Sequence, residues 1–144
     1  ERLAAQLDVG GRVRFWGWQS DCRNQLEAAD ALLLPSHTEG LPNVVLEAMS
    51  LGVAVAATDV GAVPDVLDHG RCGVLLRRDD PATWSGAVAN LLRHKARRDA
   101  LARRGRRRVR EHFTFGKRME RVAGVYDDLL WQAMSGPDMS ARAA

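Results

Sequence analysis

Short apolar runs alternate along this chain with stretches whose apolar residues recur every three to four positions. The first kind predicts strands, the second helices. Leu3 and Leu7 stand one helical turn apart and read as the end of a helix. Residues 12–18, Arg-Val-Arg-Phe-Trp-Gly-Trp, are rich in β-forming side chains and predict a strand that ends at Gly17. A short helix is expected over 21–28. Residues 29–36 hold an apolar run of four, Ala31 to Leu34, stopped by Pro35, and predict a buried strand. Pro42 at a first turn and Gly52 at an end bracket a helix over 42–52. Residues 53–58 predict a second buried strand, 63–70 a short helix closed by Gly70, and 72–77 another strand. Asp80 is placed to cap a helix over 80–94, with Pro81 at its first position. Two further helices are expected near 95–111 and 115–133, the last carrying Met119, Val122, Tyr126 and Leu129 on one face.

Short apolar strands alternating with helices predict a parallel sheet with helices on both faces, joined by right-handed crossovers. Such sheets bind ligands beyond the carboxyl ends of their strands. The loops of interest are therefore 17–21, 35–41 and 58–62, where predicted strands give way to helices.

A chain of 144 residues, 46% hydrophobic and 27% charged, suits one soluble domain with a sizeable core. No apolar run reaches the roughly 18 residues of a membrane span. The start, Glu1-Arg2-Leu3, has neither an initiator Met nor an apolar leader, so the chain is expected to be a fragment. Cys22 and Cys72 lie without metal-type spacing and read as reduced thiols. Net charge is +3, but ten of the 21 Lys and Arg fall in residues 93–110. That run fits a solvated helical face, with Leu92, Ala96, Ala100, Leu101 and Val109 turned inward. It also fits attraction to an anionic membrane surface. No aromatics interleave the arginines to stack bases, so nucleic acid is not expected as a partner.

The segment Ser36–Met49 carries the candidate chemistry. Glu39 and Glu47 stand eight positions apart across a Gly-x-Pro break. Gly40 permits a sharp turn and close approach of a ligand. Pro42 pre-sets the helix start, so the free amides of Leu41, Asn43 and Val44 are expected to face a phosphate at the positive end of the helix dipole. Glu47 follows Asn43 at i+4 on the same face. Chain reach sets the two carboxylates about 8–12 Å apart. That exceeds the roughly 5 Å of a retaining hydrolase with a carboxylate nucleophile. It suits two hydroxyl-rich groups flanking a diphosphate, because ionised carboxylates accept from sugar hydroxyls. The spacing alone also fits an exposed helix acid and a charge complementing the dipole. What separates the two readings is the surrounding sequence.

That surrounding sequence, Pro35 to Leu76 with the 12–18 stretch before it, resembles the donor-binding half of the GT-B retaining glycosyltransferases of family 4 (glycosyl transferases group 1). The likeness covers roughly residues 1–95. It implies a Rossmann-like α/β domain, the partial C-terminal half of a two-domain enzyme. The expected division is a donor domain over 1–111, a crossing helix over 112–133 and a disordered tail over 134–144. By the same likeness Glu39, the candidate catalytic residue, contacts the donor sugar, and Glu47 contacts the ribose. Main-chain groups of Gly40, Leu41, Pro42 (carbonyl only), Asn43 and Val44 contact sugar and phosphate. Gly17 and Trp18 are candidates for the nucleobase. His37, Thr58 and Asp59 are weaker candidates to face the cleft. The family pattern has Gly-Gly where this chain has Gly61-Ala62, and often Glu where Asp65 stands.

The resemblance further implies sugar transfer with retention from a UDP- or GDP-linked donor, without metal or cofactor. The expected setting is bacterial envelope polysaccharide or glycolipid synthesis, in the cytoplasm or at the inner membrane face. The family's basic pair and its acceptor-binding domain precede the 12–18 stretch and are absent from these 144 residues. The chain is thus expected to carry half a site and to be inactive alone. The alternative is a non-catalytic nucleotide-sugar-binding module. The terminal helix is expected to cross to the absent domain or to dimerise.

Overall fold

A computed structural model describes residues 1–134. Its core is a three-stranded parallel sheet of β1 (Ala31–Leu34), β2 (Ala54–Thr58) and β3 (Val74–Leu76), in that order across the sheet. Ala31 pairs with Ala54 and Leu34 with Ala57; Ala56 pairs with Val74 and Thr58 with Leu76. The described residues also form seven α-helices: α1 (Arg2–Gln6), α2 (Arg23–Glu27), α3 (Asn43–Leu51), α4 (Val63–Val66), α5 (Trp84–Arg93), α6 (Lys95–His112) and α7 (Phe115–Met134).

The expected helices on both faces are present. On one face Val55 and Ala57 meet Val45, Ala48 and Met49 of α3 and Val63 and Val66 of α4. On the other, Ala54, Ala56 and Leu76 meet Leu91 of α5 and Leu101 and Ala102 of α6. Every residue of β2 is buried, as a central parallel strand requires. Met49, Leu67 and Leu91 are wholly buried. Each contributes about 1.5–3 kcal/mol of hydrophobic stabilisation. α3 ends on Gly52 in the left-handed region at φ 79°, where its amide closes the helix onto Met49.

Several expectations fail in detail: Leu92 and Ala96, expected to turn inward, are exposed. Residues 13–18 form no strand; they run as unpaired backbone, and Val13, Phe15, Trp16 and Trp18 are all exposed. A strand needs a neighbour to bond to, and among the described residues none lies beside this one. β1 is bonded only to β2, so its other edge is open and Leu33 is 45% exposed rather than buried on both faces. Leu33 shares a side with Ala31, which packs against the α5 and α6 cluster, but Leu33 itself lies outside that cluster, whereas Leu32 and Leu34 pack on the α3 side. The helix expected to 70 stops at Val66, because Asp68, His69 and Gly70 all take positive φ in the turn to β3. Asp80 makes no side-chain cap: Pro81–Thr83 form a 3₁₀ turn, closed by the Thr83 hydroxyl donating to the Asp80 carbonyl, before α5 begins at Trp84.

α7 is helical over its full predicted span, yet none of its residues is buried. The tail expected over 134–144 begins within the last residue of α7, and 135–144 lie outside the described residues.

Candidate functional site

The carboxyl ends of the three parallel strands bring loops 35–42 and 58–62 together. Thr58, at the end of β2, is buried, and its hydroxyl donates to the Ser36 carbonyl at 2.5 Å and lies 3.4 Å from that of Leu34. It is therefore an anchor for the loop after β1 and has no free hydroxyl for a ligand. Further along, the Ala62 amide donates to the Gly40 carbonyl at 3.2 Å. Between them Gly61 passes so close that a Cβ there would lie 1.7 Å from the Glu39 carbonyl oxygen, and its φ is +53°. Only glycine fits at 61. Ala62 sits at φ −86°, ordinary backbone for an L residue, which explains why the second glycine of the family pattern is dispensable here.

These contacts fix the backbone of Glu39 and Gly40 from the β2 side. Glu39 is half-buried, while Gly40 and Leu41 are exposed. Pro42 is buried, and its carbonyl accepts from the Val45 and Leu46 amides, so Pro42 sets the helix entry with its oxygen already engaged. No side chain caps α3. The amides of Asn43 and Val44 belong to its first turn, where no intrahelical carbonyl is in register to accept them.

Two cavities flank α3. The first, about 560 Å³, lies between Glu47, Ser50 and Leu51 of α3 and the turn from Gln19 to Arg23, with Leu26 also lining it. The Asp21 carboxylate accepts from the Arg23 amide at 2.8 Å and holds that turn in shape. Gln19 donates to the Trp16 carbonyl at 2.8 Å, tying the turn to the preceding segment. The second cavity, about 520 Å³, opens on the other side of the helix start, between Leu41, Asn43 and Leu46 and the junction of α6 and α7. Asn43 and Glu47 were expected on one face. They stand one turn apart there, and each lines a different cavity, Glu47 the first and Asn43 the second.

Gly17 and Trp18 immediately precede the larger cavity but do not line it; Gly17 turns the chain at φ +64° and Trp18 is 86% exposed. The lining residues Gln19, Ser20, Asp21, Cys22 and Arg23 were not singled out one by one in the sequence. Their signal was the position of loop 17–21 between a β-rich stretch and a helix. His37 is exposed in the loop after β1. Asp65 is exposed, its carboxylate 3.7 Å from His69 and its carbonyl taken by Arg108. Among the described residues no cluster of His, Cys, Asp or Glu has metal-binding geometry, and no helix is long and apolar enough to cross a membrane.

Residues 1–94 match the model of the family described as glycosyl transferases group 1. The chain is 31% identical over 135 residues to N-acetyl-alpha-D-glucosaminyl L-malate synthase of Bacillus anthracis, covering 94% of the chain and 35% of that protein. It is 35% identical over 130 residues to D-inositol 3-phosphate glycosyltransferase of Thermobispora bispora, covering 89% and 30%. Among solved structures, sucrose-phosphate synthase of Thermosynechococcus elongatus superposes with a TM-score of 0.80 at 27% identity, over 90% of this chain and 33% of that one. The chain thus spans about a third of the length of the curated relatives it matches.

Proposed function

The chain belongs to the group 1 glycosyltransferases, and from that premise we propose that it is the donor-binding half of such an enzyme. In this reading the cavity between Glu47 and the Gln19–Arg23 turn receives the nucleoside, with the Glu47 carboxylate accepting from the ribose hydroxyls. The uncapped first turn of α3 holds the diphosphate on the amides of Asn43 and Val44. Glu39 and the main chain of Gly40 and Leu41 meet the sugar. One observation carries the reading: the acid inside α3 lines the cavity of about 560 Å³ walled by the Gln19–Arg23 turn, while the acid before it belongs to a loop held in place by Gly61, Ala62 and Thr58.

The mechanism follows from charge. As the bond from the anomeric carbon to the diphosphate breaks, negative charge grows on the leaving oxygens. Fixed amide dipoles at the helix start stabilise it without reorganising, together with the family's basic pair from the upstream segment. The transfer is retaining, needs no metal, and uses Glu39 to orient the sugar rather than to form a covalent intermediate. The acceptor, a glycan or glycolipid of the bacterial envelope, is held by the upstream domain on the cytoplasmic side of the membrane. This chain alone binds nucleotide and does not turn over.

The test is a melting-temperature titration of the chain with UDP, GDP, ADP and their hexose conjugates. One nucleotide is expected to raise the midpoint saturably, by mass action on the folded state. Glu47→Ala should weaken nucleotide binding about 10- to 100-fold, the value of a charge-assisted hydrogen bond or two. Glu39→Ala should leave the free nucleotide untouched and erase any advantage of the sugar conjugate. If no nucleotide shifts the midpoint, or both variants bind like the parent, the reading is wrong.

A further inference from the structure

At the other end of the sheet, away from the donor loops, α6 presents Arg104, Arg107, Arg108 and Glu111 on one side, at i, i+3, i+4 and i+7 spacing. They face the turn from Asp68 to Cys72 that leads into β3. A cavity of about 240 Å³ lies between, lined also by Glu111 and His112.

Four guanidinium groups, of Arg71, Arg104, Arg107 and Arg108, line this cavity against two carboxylates, Asp68 and Glu111. Arg108 is engaged: its Nε donates to the Val66 carbonyl at 3.0 Å, its Nη2 to the Asp65 carbonyl at 2.6 Å, and its Nη1 lies 3.4 Å from Asp68. It closes the end of α4 and holds the Asp68 turn. Arg71 shares the same carboxylate at 3.7 Å. Among the described residues Arg104 and Arg107 have no acid within ion-pair distance. Like charges at i+3 and i+4 destabilise a helix, so the cavity concentrates positive charge that the fold itself does not neutralise. Planar guanidinium groups match the oxygen geometry of a phosphate. The cavity's small volume favours a compact anion over an extended polyanion.

We propose that this cavity is a second anion site that binds a phosphate monoester, with Arg104 and Arg107 as its ligating residues, Arg71 at its rim and Arg108 as the positioning residue that builds the wall. It shares no residue with the donor site and does not rest on the donor reading. The phosphate comes either from a soluble metabolite or from a lipid headgroup.

The test is calorimetric titration of the chain with inorganic phosphate and with glucose 6-phosphate, against potassium chloride at matched ionic strength. Saturable binding is expected. It should fall at least tenfold in Arg104→Ala/Arg107→Ala and persist in Arg106→Ala/Arg110→Ala, which removes the same charge from another side of α6. Sedimentation with phosphatidylcholine vesicles carrying phosphatidic acid separates the sources. Binding to these vesicles that only the first double variant loses, with no binding of the soluble phosphates, assigns the site to a lipid headgroup; the converse assigns it to a metabolite. If phosphate binds no better than chloride and the vesicles are ignored, or if both double variants lose binding equally, the charge is diffuse and the proposal falls.

Discussion

β2 and residues 13–18 reverse what side-chain propensity alone would rank. Residues 54–58 read Ala-Val-Ala-Ala-Thr, with three alanines, a poor strand former. Residues 13–18 hold a valine and three aromatics. Yet β2 is the wholly buried centre of the sheet, and the aromatic stretch pairs with nothing described. Small residues suit β2 because helices close on both faces: Ala54 and Ala56 leave room for α5 and α6, and Val55 and Ala57 for α3 and α4. Strand character is thus conferred by neighbours on either edge and either face. The same contrast separates α3, with Val45, Ala48 and Met49 buried, from α7, which is longer and buries nothing.

A single charge placed in each region should have very different effects. Val55→Asp would bury a carboxylate with no partner in the centre of the sheet, and should cost about 5 kcal/mol or more, enough to unfold a small domain. Phe15→Asp, at a site 54% exposed, should move stability by about 0.5 kcal/mol or less. Urea denaturation of both variants decides the matter. A large loss at Phe15 would mean that the 13–18 stretch is paired in solution.

The loops at the carboxyl ends of the strands depend on Gly61. Gly61→Ala puts a methyl group against the Glu39 carbonyl at a positive φ. Left-handed backbone and overpacking together should cost about 2–5 kcal/mol. Because the clash is with the loop proposed to meet the donor, nucleotide affinity should fall even at temperatures where the variant remains folded. Ala62→Gly, next to it, should change affinity little. Equal affinity in Gly61→Ala and the parent would show that nucleotide binding does not depend on this contact.

Much of this architecture was legible because its signals are local. The punctuation of α3 by Pro42 and Gly52, the apolar runs of β1 and β2, and the long periodic patterns of α6 and α7 each depend on a few adjacent residues. The misreadings arose where a distant partner decides the outcome. Nothing within residues 12–18 says whether a neighbouring strand is present. Nothing in Asp80-Pro81 says that the first turn will tighten to 3₁₀. The site divides in the same way. Glu39, Gly40, Asn43 and Glu47 could be singled out from one continuous segment. The Gln19–Arg23 wall of the cavity and the Thr58 and Gly61 supports come from elsewhere in the chain and meet the segment only through the fold.

The two cysteines give the smallest and cleanest version of the comparison, one thiol in each kind of region. Cys22 is half-buried at the edge of the larger cavity, while Cys72 is buried where the turn enters β3. Burial pushes the Cys72 thiol above its ordinary value of 9.0; Asp68 adds to the rise, and Arg108, Arg104 and Arg107 oppose it. At pH 8 a thiol-alkylating reagent should therefore modify Cys22 at least about tenfold faster than Cys72, since the thiolate is the reactive form and Cys72 combines less thiolate with less access. The same shift sets a pH dependence. Above pH 9.0 the unfolded chain loses the Cys72 proton while the folded chain keeps it, so the folded state binds more protons and its stability falls as pH rises. Below that value the contribution is fully present. Melting curves from pH 8 to 10 should show a decline that is shallower in Cys72→Ala, with the difference between the two chains opening only on the alkaline side. An equal decline in both, with equal alkylation rates at the two thiols, would place Cys72 in an environment as open as that of Cys22 and remove the distinction between the sheet and the segments around it.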